Sequence, residues 1–116
     1  MQSLDKNISI KLPENNVGRM VETLIGCKWS LSVLKLLRAG VNRPGEMQRR
    51  VDGLTAKVLN ERLTKLLKYG IIHKTVYPEA PPRVTYAFTA FGTRFLEIID
   101  VIEKVQNELS DTPHKA

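Results

Sequence analysis

With a single cysteine, Cys27, the 116-residue chain has nothing to pair in an intrachain disulfide, and a reducing compartment is its expected setting. Its two histidines, His73 and His114, lie far from that cysteine, so no zinc-site spacing exists and no metal is expected. There is no Gly-rich phosphate loop, no paired-carboxylate arrangement and no nucleophile with an adjacent base. Neither catalysis nor a cofactor is expected. No apolar run approaches the length of a membrane span, and the opening residues, with Asp5 among them, do not make a secretory leader. The expectation is a cytoplasmic protein with no membrane partner. At this length the chain makes one domain with a modest core.

Basic charge is plentiful, and it is unevenly placed. The net charge is +6, but from Lys28 to Thr75 eleven Lys and Arg face only Glu46, Asp52 and Glu61, a local +8 that leaves −2 for the remainder. Such a concentration suits the counterion release that drives binding to a phosphate backbone. A merely solvated basic surface is the plainer alternative, and the local pattern decides against it.

The segment T-A-K-V-L-N-E-R-L-T-K-L-L-K-Y-G, from Thr55 to Gly70, has Leu59, Leu63, Leu66 and Leu67 on one helical stripe. Lys57, Asn60, Glu61, Thr64, Lys65 and Lys68 occupy the opposite face. Gly70 stops this helix, and two strands rich in β-branched and aromatic residues follow, Ile71 to Tyr77 and Val84 to Phe88. Pro78, Pro81 and Pro82 fix the tip between them, because proline presets φ and cannot donate to a ladder. Upstream, Asn15 or Asn16 caps a helix from Val17 to about Ile25, Ser30 starts a second that Ala39-Gly40 ends, and Pro44 opens a short third. Thr89 caps a last helix from about Ala90 to Leu109. Trp29 reads as a core anchor. The fold class is therefore mainly α with a small β-hairpin (α+β), a winged helix-turn-helix. Residues 1–14 form an arm, 15–110 the domain, and 111–116 a flexible tail.

The runs I-G-C-K-W-S-L-S-V-L-K-L-L, G-V-N-R-P-G-E-M and D-G-L-T-A-K-V-L-N-E-R-L, and above all Y-P-E-A-P-P-R-V-T-Y, resemble the HxlR-type transcriptional regulators. That resemblance covers about Val17 to Leu109. It implies a dimeric winged helix-turn-helix protein related to the MarR group, with Thr55 to Tyr69 as recognition helix, the hairpin as wing, and the first and last helices as dimer interface. Many redox-sensing members carry a cysteine at the start of the first helix, where this chain has Asn15-Asn16-Val17. Cys27 instead replaces the second glycine before Lys28-Trp29. Pro44 and Thr85 stand where an aromatic and a Glu are usual.

The expected function is sequence-specific binding of double-stranded DNA by a homodimer that regulates transcription. Lys57 and Asn60 are placed to reach base edges, with Thr55 and Thr64 beside them. Arg43, Arg49, Arg50 and Lys65 suit phosphate contacts, and Arg83, assisted by Lys74, a minor groove or adjacent backbone. Arg62, nearer the apolar edge, suits an internal bond to a turn carbonyl. The last helix carries a longer apolar stripe than so small a domain can cover, so Phe95, Ile98, Ile99, Ile102 and Val105, with Val17, Met20 and Val21, are the expected dimer interface. Cys27 reads as a small core residue, with a redox role as the alternative. Two other functions remain open: an interaction module whose basic face meets an acidic protein, and a regulator answering to a redox or small-molecule signal.

Overall fold

The computed structural model describes residues 16–111; the expected arm at residues 1–14 and His114 lie outside them. Five helices and one hairpin follow in the order α1 (Val17–Gly26), α2 (Ser30–Arg38), α3 (Pro44–Arg50), α4 (Ala56–Lys68), β1 (Ile72–Tyr77), β2 (Arg83–Phe88) and α5 (Ala90–Asp111). The last helix runs through Asp111, two residues beyond the expected end and into the expected tail.

Local chemistry fixes most of the boundaries. The Asn16 side chain accepts the Arg19 backbone N–H at 2.8 Å, and the Thr55 hydroxyl accepts that of Val58 at 3.2 Å, each satisfying a donor at a helix start. Pro44 is the first residue of α3, where its missing N–H costs nothing. Gly40 and Gly70 follow α2 and α4 with φ of +92° and +75°, a backbone region that side chains disfavour. The turn into α2 is the exception. Trp29 adopts φ +76°, a conformation costing roughly 1–2 kcal/mol in a non-glycine residue, and α2 has no side-chain cap.

Compensation for that turn comes from packing and from α4. Trp29 lies half-buried against the core beside Gly53, with the Lys28 ammonium 4.8 Å above its ring. Arg62 donates from Nε to the Lys28 carbonyl at 2.8 Å, the turn-carbonyl bond expected from its position on the apolar edge.

The core gathers one face from every helix: Met20 and Leu24 of α1, Val33, Leu34 and Leu37 of α2, Met47 of α3, Leu59, Leu63 and Leu66 of α4, and Phe95, Leu96 and Ile99 of α5. The hairpin is antiparallel, with Ile72 opposite Phe88 at its root and Tyr77 opposite Arg83 near its tip. Two ties hold it to the helices. Tyr86 donates its backbone N–H to the Asn42 carbonyl at 3.1 Å, hooking the loop between α2 and α3 to β2. Thr89 joins three elements: its hydroxyl meets the carbonyls of Gly70 and Ile71 and accepts the Gly92 N–H at 2.8 Å. Gly92 itself is packed so closely on Ile71 that a Cβ there would fall on the Ile71 carbonyl oxygen.

Candidate nucleic-acid interface

The outward face of α4 carries Lys57, Asn60, Glu61, Thr64, Lys65 and Lys68 along one shallow surface, as the leucine spacing on the opposite face requires. Lys57, Asn60 and Thr64 are exposed, whereas Lys65 is half-buried with its ammonium 5.8 Å from the Tyr69 ring. Neither Lys57 nor Lys65 has an ion pair among the described residues, and the one carboxylate on this face, Glu61, sits 3.9 Å from Arg62. Thr55 spends its oxygen lone pair on the cap of α4 and keeps its hydroxyl proton to donate. The surface is therefore cationic, rich in donors and largely uncommitted.

Around it the arginines divide. Arg43, which precedes α3, and Arg49, near its end, are exposed and without an ion pair among the described residues. Arg50 is bound to Glu46 one turn back, 3.2 Å away. On the wing, Arg83 lies with its guanidinium 3.7 Å from the centre of the Tyr77 ring and donates twice to Glu79, at 3.1 and 3.3 Å. That hydrogen bond raises the Arg83 pKa above its ordinary value. The guanidinium is thus held flat and oriented at the wing. Arg43 and Pro44 line a cleft with residues 79–84 of that wing, so the loop before α3 and the tip approach each other.

Lys74 does not join Arg83. The register sets Lys74 opposite Tyr86 and Arg83 opposite Tyr77, and side chains alternate faces along a strand, so the two cations stand on opposite faces of the hairpin. The expectation that Lys74 assists Arg83 is corrected by that pairing. Sequence reasoning passed over Tyr77 and Glu79, although Glu79 and Arg83 are four apart across a proline tip that turns the chain back on itself.

The apolar stripe of α5 also divides. Phe95 and Ile99 are 1% and 3% exposed, and Met20 of α1 is 1% exposed, so all three are consumed by the protomer's own core and leave no surface for a partner. Their expected place at an interface is corrected: a 22-residue helix first crosses its own core and only then leaves it. Val17, Val21 and Ile102 are partly buried against that core, while Ile98, Val101 and Val105 are exposed, as is Ile25 at the end of α1. Arg38 grips Asp100 with both guanidinium nitrogens, the longer contact at 3.1 Å, and Lys35 reaches Glu103 at 3.1 Å, pinning α5 to α2 where the burial ends.

Cys27 is partly buried at the end of α1 rather than enclosed in the core as expected. Ser30, three residues on, is the buried polar group: its hydroxyl oxygen is enclosed without a hydrogen-bond partner among the described residues. No group of acidic, histidine and cysteine residues that could hold a metal occurs among the described residues. No described helix is long and apolar enough to cross a membrane.

A helix offering an uncommitted basic face, preceded by a short helix and followed by a proline-tipped hairpin, defines the winged helix-turn-helix class. The chain belongs to the HxlR-like helix-turn-helix family, whose model matches residues 24–113. It is 38% identical over 88 residues to an HTH-type transcriptional regulator of Synechocystis sp., an alignment covering 76% of this chain and 65% of that protein. Among solved structures it resembles a MarR-family transcriptional regulator from Enterococcus faecalis V583, with TM-score 0.71, 28% identity, and coverage of 90% and 94% of the two chains. It also resembles the redox regulator HypR in its reduced form, with TM-score 0.69, 26% identity, and coverage of 83% and 95%.

Proposed function

We propose that this chain is a sequence-specific, double-stranded DNA-binding transcription regulator acting as a homodimer, with α4 in the major groove and the wing at the adjacent backbone or minor groove. The observation that carries this reading is the outward face of α4, where Lys57, Asn60 and Thr64 stand exposed together with no internal role that explains them, and Lys65 adds a fourth side chain to the same face. Asn pairs bidentately with adenine and Lys reaches guanine acceptors, so Lys57 and Asn60 read bases. Arg43, Arg49, Arg50 and Lys65 take phosphates, Thr55 and Thr64 supply hydroxyl donors, and Arg83 enters at the wing. Ile25, Ile98, Val101, Ile102 and Val105, with Val17 and Val21, are the apolar surface for the second copy.

Titration of duplex DNA selected from a random pool, at increasing salt, tests the reading. Affinity falls steeply with salt, and Asn60→Ala reduces discrimination between selected and random duplexes by roughly 1–3 kcal/mol. A chain that binds no duplex at low salt, or binds any polyanion equally, fits the protein-interaction alternative instead.

A thiol-sensing variant of the same regulator draws on one observation. Cys27 is a free, partly buried thiol, and the carbonyl of its neighbour Lys28 is bonded to Arg62 of α4. Oxidation would place a polar sulfenate at that turn. A peroxide-dependent, reversible change in duplex affinity that vanishes in Cys27→Ser supports it, and an unchanged affinity removes it.

A further inference from the structure

Beside the face of α4 assigned to DNA, and sharing Lys65 and Lys68 with it, lies a second basic feature. Arg19 and Thr23 of α1 meet Lys65, Lys68 and Tyr69 at the end of α4 around a concave space of about 500 Å³. Three cations and two hydroxyl-bearing side chains line it, and no carboxylate does. Arg19, Lys65 and Lys68 have no ion pair among the described residues. Lys65 and Lys68 alone would have an internal explanation, because cations in the last turn complement the helix dipole. Arg19 has the opposite relation to its own helix. It lies in the first turn of α1, at the positive end, and that turn contains no acidic residue to offset it.

We propose that this pocket binds an anion of the phosphate class. A phosphoryl group placed there relieves the mutual repulsion of the three cations and the conflict between Arg19 and the dipole of α1. It also accepts from the guanidinium fork and from the Tyr69 and Thr23 hydroxyls, the charge-assisted geometry for which arginine is suited. Two fixed points hold the pocket's shape: the Asn16 side chain anchors the backbone N–H of Arg19 at 2.8 Å, and Lys65 rests over the Tyr69 ring. The anion has two sources, a singly charged backbone phosphodiester of DNA extending past α4 or a free phosphorylated small molecule. The first source rests on the DNA-binding reading and the second does not.

Inorganic pyrophosphate is the probe for the free source, titrated into the full chain while backbone amide resonances are followed. Saturable shifts confined to the first turn of α1 and the last turn of α4, weakened about ten-fold in Arg19→Gln and partly restored in Arg19→Lys, establish a site for a free phosphate-class anion. In parallel, duplex affinity is measured against salt for the same variants. A salt slope reduced by about one in Arg19→Gln establishes a DNA phosphate as the occupant. Shifts that never saturate or spread elsewhere, together with an unchanged slope, overturn the proposal. Should the wild type bind no duplex at all, the DNA reading fails while the pyrophosphate arm still decides the site.

Discussion

The two halves of α5 carry the same apolar periodicity and have opposite fates. Between Phe91 and Ile99 the stripe packs into the protomer at Phe91, Phe95, Leu96 and Ile99 and leaves Ile98 exposed; from Val101 onward the apolar residues all stand exposed or half-exposed. The boundary falls where Arg38 and Lys35 of α2 reach across to Asp100 and Glu103. Periodicity therefore says that a helix has an apolar face, and only the reach of the neighbouring elements says what covers it.

Substitution within the two halves exposes the difference most strongly. Phe95→Ala empties a fully enclosed site and should cost about 3–5 kcal/mol in denaturant unfolding. Val105→Asp should change protomer stability by no more than about 0.5 kcal/mol when measured at low protein concentration. At micromolar concentration the same variant should sediment as a monomer if the exposed half meets a second copy. Equal losses of stability at the two sites would erase the distinction.

A smaller effect lies at the boundary itself. The hydrogen bond from Arg38 holds the Asp100 carboxyl below its ordinary pKa of 3.8. A depressed carboxyl stabilises the fold above its unfolded pKa and loses that contribution as pH falls through the lowered folded value. Wild type should thus melt slightly above Asp100→Asn near neutrality, with the gap closing in acid below the ordinary carboxylate range and shrinking in high salt, because both side chains are about half-exposed. A gap that persists in acid would assign the effect to packing.

Local signals made much of the fold legible. Asn16, Thr55, Pro44, Gly40 and Gly70 act through their own backbone or the next turn, so their roles can be read from neighbouring residues alone. The leucine stripe of α4 fixed which side chains face outward by the same logic, and with it the candidate base-reading residues. What escaped depends on chain segments brought together in space. Arg38 and Asp100 are 62 residues apart, and nothing in either's vicinity names the other. The burial of Phe95 and Met20 depends on how far α1 and α5 cross the core. The Lys74 correction came from strand register, and the left-handed turn at Trp29, two residues after the partly buried Cys27, lies where propensity offers no warning.

Thr89 and Gly92 give the protomer a mechanical property. The end of α4, the root of the wing and the start of α5 share one joint, in which a hydroxyl spans two carbonyls and a glycine leaves no clearance. From it α5 extends 22 residues, a lever arm of about 33 Å at 1.5 Å per residue. A sideways displacement of the far end therefore bears first on the Arg38–Asp100 and Lys35–Glu103 contacts with α2, and reaches the joint only through the helix that both hold.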